Sequence, residues 1–139
     1  MLTDMHVIIR LLLGAVLGGL VGIEREVHNK KIAGFRTHIL VCVGSTLVML
    51  TSVYIFEQFG QNNAIDPGRI AVGVITGIGF LGAGTIIRSG ASITGLTTAA
   101  SLWAVAAIGL AVGCGFYSAA CTTTVIVVAT LYLLRKISI

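Results

Sequence analysis

The stretch from Asp66 to Trp103, DPGRIAVGVITGIGFLGAGTIIRSGASITGLTTAASLW, sets the narrowest limits on what this chain can become. Eight glycines interrupt an otherwise apolar run. In water each would cost a helix about 1 kcal/mol against alanine. In lipid the backbone must satisfy its own hydrogen bonds, so helix is enforced and small residues become contact surfaces. At about 100° per residue, Gly73, Gly77 and Gly84 fall on one face, and Gly68, Gly79 and Gly82 fall on nearly the opposite one. Two grooved faces predict two close helix neighbours and a central place in a membrane bundle. On this reading leucine at Gly77 or Gly79 disrupts packing, whereas Ile78→Leu, which conserves volume, is mild.

The rest of the chain fits a membrane solvent. Only 10% of its residues are charged and mean hydropathy is +1.03, where a soluble domain carries about a quarter charged residues. A span needs about 17 to 25 mostly apolar residues. Five segments qualify, at 7–23, 37–56, 70–87, 96–112 and 117–134. The expected fold is a single all-α domain over 1–139, a bundle of five transmembrane helices around a glycine-rich third. Thr97 or Thr98 would suit a later start of the fourth helix as its N-cap. The first run is not a cleavable signal: no A-x-A site follows it, and its positive charges come after it.

Charge orders the loops. Arg25, Lys30, Lys31 and Arg36 lie in the first, Arg88 in the third, and Arg135 with Lys136 in the tail. The second loop, 57–67, has no basic residue, although Arg69 stands at its edge, and the fourth has no charge. Alternating basic loops put the N-terminus outside and the C-terminus in the cytoplasm. Tyr54, Phe56, Phe59, Phe116 and Tyr117 would form an outer aromatic belt. Cations beside apolar spans point to lipid surfaces rather than nucleic acid.

Several side chains invite a specific role. Gly14, Gly18 and Gly22 form a small-xxx-small ridge, the expected surface for the Gly73/Gly77/Gly84 face. Arg10, one turn earlier, either snorkels to the interface or pairs with Asp66 or Glu57. Glu24 and Arg36 edge the same loop, which predicts an ion pair across the first hairpin. Thr37 is placed to cap the second helix, and Asp66 before Pro67 to cap the third. Thr76, Thr85, Thr97, Thr98 and Ser101 are candidates for interhelical hydrogen bonds, worth about 1 kcal/mol each. His28 and His38 read as surface residues. Cys42 reads as packing, while pairing of Cys114 with Cys121 across one loop stays open.

No catalytic set, metal cluster or cofactor motif stands out. Asp4, Glu24, Glu26, Glu57 and Asp66 all stand at span ends or in loops. That is a poor distribution for magnesium, which sheds water reluctantly and favours carboxylates.

The segments GIEREVHNKKIAGFRTHILVCVGS, DPGRIAVGVITGIGFLGAG and GLTTAASLWAVAAIGLAVGCGFY together resemble the MgtC/SapB family of bacterial membrane proteins, over nearly the whole chain. Glu24, Arg25, Gly34, Arg36, Thr37, Asp66, Pro67, Arg69, Gly95, Leu96, Thr97 and Thr98 match its signature positions. The resemblance implies an inner-membrane protein tied to growth in low magnesium and to survival inside host cells. It further implies restraint of the membrane ATP synthase rather than ion transport. Many members continue into a soluble C-terminal domain, so the chain reads as a short form without one. The expected activity is that of a non-catalytic regulator that docks by helix contact on a second copy or another membrane protein, with lipids around it. The alternative is a transporter or channel for magnesium or another small ion.

Overall fold

A computed structural model describes residues 1–28, 33–60 and 65–137. The expectations placed on Lys30 and Lys31 lie outside these residues, as do the side chains of His28 and Lys136. Among the described residues five α-helices follow in order: α1 (Asp4–His28), α2 (Phe35–Phe59), α3 (Pro67–Thr85), α4 (Leu96–Cys114) and α5 (Tyr117–Leu133). A 3-10 turn, Leu134–Ile137, follows α5. A small antiparallel hairpin, β1 (Ile87–Ser89) and β2 (Ser92–Thr94), joins α3 to α4. Four helices, α1 to α4, are long and apolar enough to cross a membrane. The 17 residues of α5 are apolar but fewer than in any of those four.

Local signals explain several ends. Asp66 caps α3 as expected: its Oδ1 accepts the Gly68 amide at 2.8 Å, and Pro67 opens the helix. Thr37 does not cap α2, which starts two residues earlier at Phe35. Its first amide is met from another helix, by Glu26 Oε2 at 2.9 Å. Nor does α4 begin at Thr97 or Thr98. Its N-cap is Gly95, at φ +91°, a backbone state that glycine adopts without strain. A side chain there would also strike the Thr85 carbonyl.

The centre of the bundle is not α3. Helix α2 lies between α1 and α4, and α4 packs against all four other helices. The apolar core runs through Leu17 and Val21 of α1, Cys42 of α2, and Val105, Ile108 and Val112 of α4. A second cluster, around Leu102 and Ala106, holds α3 by Ile78.

Glycine makes this possible, on the expected α1 ridge but against another helix, and on α4 rather than α3. A Cβ added at Gly14 would lie 2.6 Å from Thr46 Oγ1, and one at Gly18 2.6 Å from Cys42 Cβ. One at Gly22 would lie 2.8 Å from Phe35 Cα. The α1 ridge is therefore filled by α2, not by α3. On the other side, Gly109 meets Ser45 and the Cys42 carbonyl, and Gly113 meets Met49. Thus α2 is clamped between two glycine ridges. By contrast, Gly73, Gly77, Gly79 and Gly84 have no foreign atom within 4 Å of a built Cβ. Gly68 meets only the Asp66 carboxylate, and Gly82 alone touches a neighbouring helix, at an ordinary 3.5 Å from Ala99. The expected contact between the α1 ridge and the Gly73/Gly77/Gly84 face is overturned. The physical reason is connectivity: helices joined by a short loop pack antiparallel to each other first. The ridge on α1 is consumed by the next helix in the chain.

Candidate functional site

Most of the signature side chains gather at the end of the bundle where α1 finishes and α2 and α4 begin. There Arg25 is 6% exposed and Glu24 8% exposed. Arg25 reaches from α1 to α4, where its Nη2 donates to Thr98 Oγ1 at 2.6 Å. Thr98 sits in the first turn of α4 because Gly95 starts the helix early. Thr85 fixes that start from α3: its hydroxyl donates to the Gly82 carbonyl at 2.7 Å and lies 3.5 Å from that of Gly95. One turn along α4, Ser101 Oγ stands 2.8 Å from the Thr98 carbonyl and 2.9 Å from His38 Nε2.

His38 closes the chain on α2. Its ring is fully buried, and Nδ1 lies 2.8 Å from the Gly34 carbonyl. A carbonyl only accepts, so Nδ1 carries the hydrogen, while Nε2 faces Ser101 Oγ, whose single hydroxyl hydrogen lies between Nε2 and the Thr98 carbonyl. The expectation that His38 is a surface residue is therefore wrong. The ring enters because Gly22 lets the backbones close: a Cβ there would lie 3.1 Å from His38 Cβ. Arg25, Thr98, Ser101, His38 and the Gly34 carbonyl thus form one buried hydrogen-bonded line across three helices. In a low-dielectric interior such a line is strong when complete and costly when broken.

The predicted pair of Glu24 with Arg36 does not form. Arg36 is exposed, and Glu24 turns to the end of the chain, 4.0 Å from Arg135. Arg36, in the first turn of α2, points to the outside of the bundle. Thr97 is exposed beside its buried neighbour Thr98. Thr37 is half-buried and lines a groove between α2 and α3. Asp66 and Arg69 lie at the opposite end of the bundle, both exposed.

That opposite end has its own lock. Arg10 neither reaches Asp66 nor stands free. Its Nη1 donates to the Gly113 carbonyl at 2.8 Å and its Nε to the Tyr117 hydroxyl at 2.9 Å. A cation thereby satisfies one C-terminal carbonyl of α4, where the helix dipole is negative. Glu57 instead holds the N-terminus, 3.2 Å from its ammonium group. Cys42 is buried, Cys114 and Cys121 are exposed, and all three are free thiols.

Sequence reasoning missed His38, Glu26 and the target of Arg10. One signal was present for His38: it shares a helical stripe with Cys42, Ser45 and Thr46, all small or polar, facing a glycine ridge. Nothing in sequence spacing announces the reach of Glu26 to Phe35 or of Arg10 to Gly113. Among the described residues, no three histidine, cysteine or acidic side chains gather to hold a metal ion.

The model of the MgtC family matches residues 11–139. YhiD of Escherichia coli (strain K12), whose name gives magnesium transport as a provisional role, is 47% identical over 112 residues. That match covers 79% of this chain and 52% of YhiD. Protein MgtC of Salmonella typhimurium (strain LT2) is 40% identical over 129 residues, covering 93% of this chain and 52% of that protein. An uncharacterized protein of Haemophilus influenzae is 41% identical over 134 residues, covering 92% and 56%. The chain spans about half the length of the curated relatives it matches. No solved structure matches it.

Proposed function

Since the chain belongs to the MgtC family, we propose that it is a non-catalytic regulator of the bacterial inner membrane that acts by helix contact on a membrane partner. In this reading all five helices cross the bilayer, with the N-terminus outside and the arginine-rich end in the cytoplasm. The observation that carries the proposal is the unfilled side of α3. Gly73 and Gly84 present bare backbone to the surroundings on one face, flanked by Phe80 at 83% exposure. Lipid tails fill such a surface loosely, whereas another helix fills it closely and gains dispersion contacts. The family resemblance makes the ATP synthase the first candidate, in adaptation to low magnesium and survival inside hosts.

Catalysis is disfavoured by access. Ser101 and His38 have the spacing of a nucleophile and its base, but they are 3% and 0% exposed and already engaged with backbone carbonyls. The test is photo-crosslinking in cells from a photoreactive residue at Phe80. It should capture a membrane protein, and Gly84→Leu should abolish the capture while leaving the folded chain in the membrane. Capture unaffected by Gly84→Leu would overturn the docking face.

A second reading is transport of magnesium or another small ion, favoured by the name of YhiD. The buried line argues against it, since its charged member facing Thr98 is a cation. Flux into liposomes containing the purified chain, at a rate above empty liposomes, would establish transport and displace the regulator.

A further inference from the structure

Between α2 and α3 runs a groove of about 490 Å³. Gly44 and Gly77 stand on its two walls, and neither has a foreign atom within 4 Å of a built Cβ. Leu40, Val48 and Leu81 supply much of the remaining lining. Its one serine, Ser45, already donates to the Val41 carbonyl of its own helix at 2.8 Å. Apart from the Thr37 hydroxyl at the groove's end, the wall is therefore dry, which suits hydrocarbon along its length and not an ion.

Length decides what kind of hydrocarbon. Along α2 the groove extends from Thr37 to Val48, about 16 Å at 1.5 Å per residue. The hydrocarbon core of a bilayer is about 30 Å thick, so the groove covers one leaflet. A crossing helix from a second copy would need the full thickness. Thr37 marks the end of the bundle that carries Arg25, Arg36, Arg88 and Arg135 against Glu24 and Glu26. Both glutamates are engaged, Glu24 near Arg135 and Glu26 on the Phe35 amide. Arg36, the residue before Thr37, is exposed and in no ion pair among the described residues.

From this geometry we infer that the α2–α3 groove holds an acyl chain of one anionic glycerophospholipid of the cytoplasmic leaflet, with its phosphate at Arg36. The chain fills the space over Gly44 and Gly77, and the guanidinium selects the charge of the headgroup. The inference rests on the membrane orientation proposed above, but not on any protein partner.

The experiment is native mass spectrometry of the full chain released from nanodiscs of equimolar phosphatidylglycerol and phosphatidylcholine with matched tails. The wild type should retain one phosphatidylglycerol, enriched about fivefold, the preference one basic residue gives at a membrane surface. Gly77→Leu and Gly44→Leu, each filling the groove from a different wall, should lose the retained lipid whichever its headgroup. Either suffices if it melts with the wild type in detergent. Arg36→Gln should keep a lipid but lose the preference. Gly84→Leu, outside the groove, should change nothing. Lipid retained equally by both groove-filling variants would overturn the inference. So would a disulfide-linked dimer through Leu40→Cys that Gly77→Leu abolishes, which would assign the groove to a second copy. A wrong orientation shows separately, as Arg88→Cys reacting with an impermeant reagent from outside.

Discussion

Two sets of glycines in this chain look alike in sequence and do opposite work. Those of α1 and α4 are pressed against α2 so closely that a Cβ at Gly18 or Gly113 would overlap its atoms. Those of α3 at 73, 77, 79 and 84 face open space. The difference teaches that a glycine ridge in a membrane helix states only that close approach is possible. Which ridge is filled depends on where the chain goes next. Short connections bring α2 onto α1, and α4 then covers the other side of α2. Helix α3 is left at the edge with its ridges unspent. A filled ridge contributes stability through dispersion, because hydrophobicity does not separate a helix from lipid tails. An open ridge contributes little to the fold and remains available to something else.

Substitution should separate the two sets most sharply. Gly18→Leu and Gly109→Leu overpack the α2 clamp and should each cost about 3 kcal/mol or prevent folding, read as thermal stability in detergent. Full stability in both variants would break the comparison at its stronger half. The buried line at the arginine-rich end comes next. Arg25→Met with Thr98→Val should show a coupling of about 1 kcal/mol in a double-mutant cycle. The pair expected from sequence, Glu24→Gln with Arg36→Gln, should instead be additive within about 0.5 kcal/mol. Coupling in the second cycle but not the first would return the site to the sequence-level picture. Smallest of all, Gly79→Leu and Gly84→Leu should leave stability unchanged within about 0.5 kcal/mol. This is the reverse of what the two grooved faces of α3 predict alone. A large loss there would mean that α3 is packed on a side where the structure leaves it open.

Much of this architecture was legible from residue pattern. The five helices follow from apolar length and from loop charge, and the cap at Asp66 and Pro67 was readable because it is local. The α1 ridge at Gly14, Gly18 and Gly22 was recognised as a contact, yet assigned to the wrong helix. A ridge specifies its own shape and not its partner. Glu24, Arg25, Thr98 and Ser101 were picked out individually; Thr98 was offered both as a cap and for an interhelical hydrogen bond, and the second holds, since it accepts from Arg25. His38 was misjudged because it lies near a basic loop, and only three-dimensional packing against Gly22 reveals its burial. The hairpin of β1 and β2 was missed as well. Its residues are all exposed, so no buried face marks the sequence.

The central claim, that α2 and not α3 occupies the α1 ridge, can be tested by a disulfide. A Cβ at Gly14 would lie 3.4 Å from Thr46 Cβ, close to the roughly 3.5–4.5 Å that a disulfide spans. In a background of Cys42→Ser, Cys114→Ser and Cys121→Ser, Gly14→Cys with Thr46→Cys should oxidise to an intramolecular crosslink in native membranes. Gly14→Cys with Gly77→Cys should not. A crosslink in the second pair and none in the first would place α3 on the ridge and contradict the account.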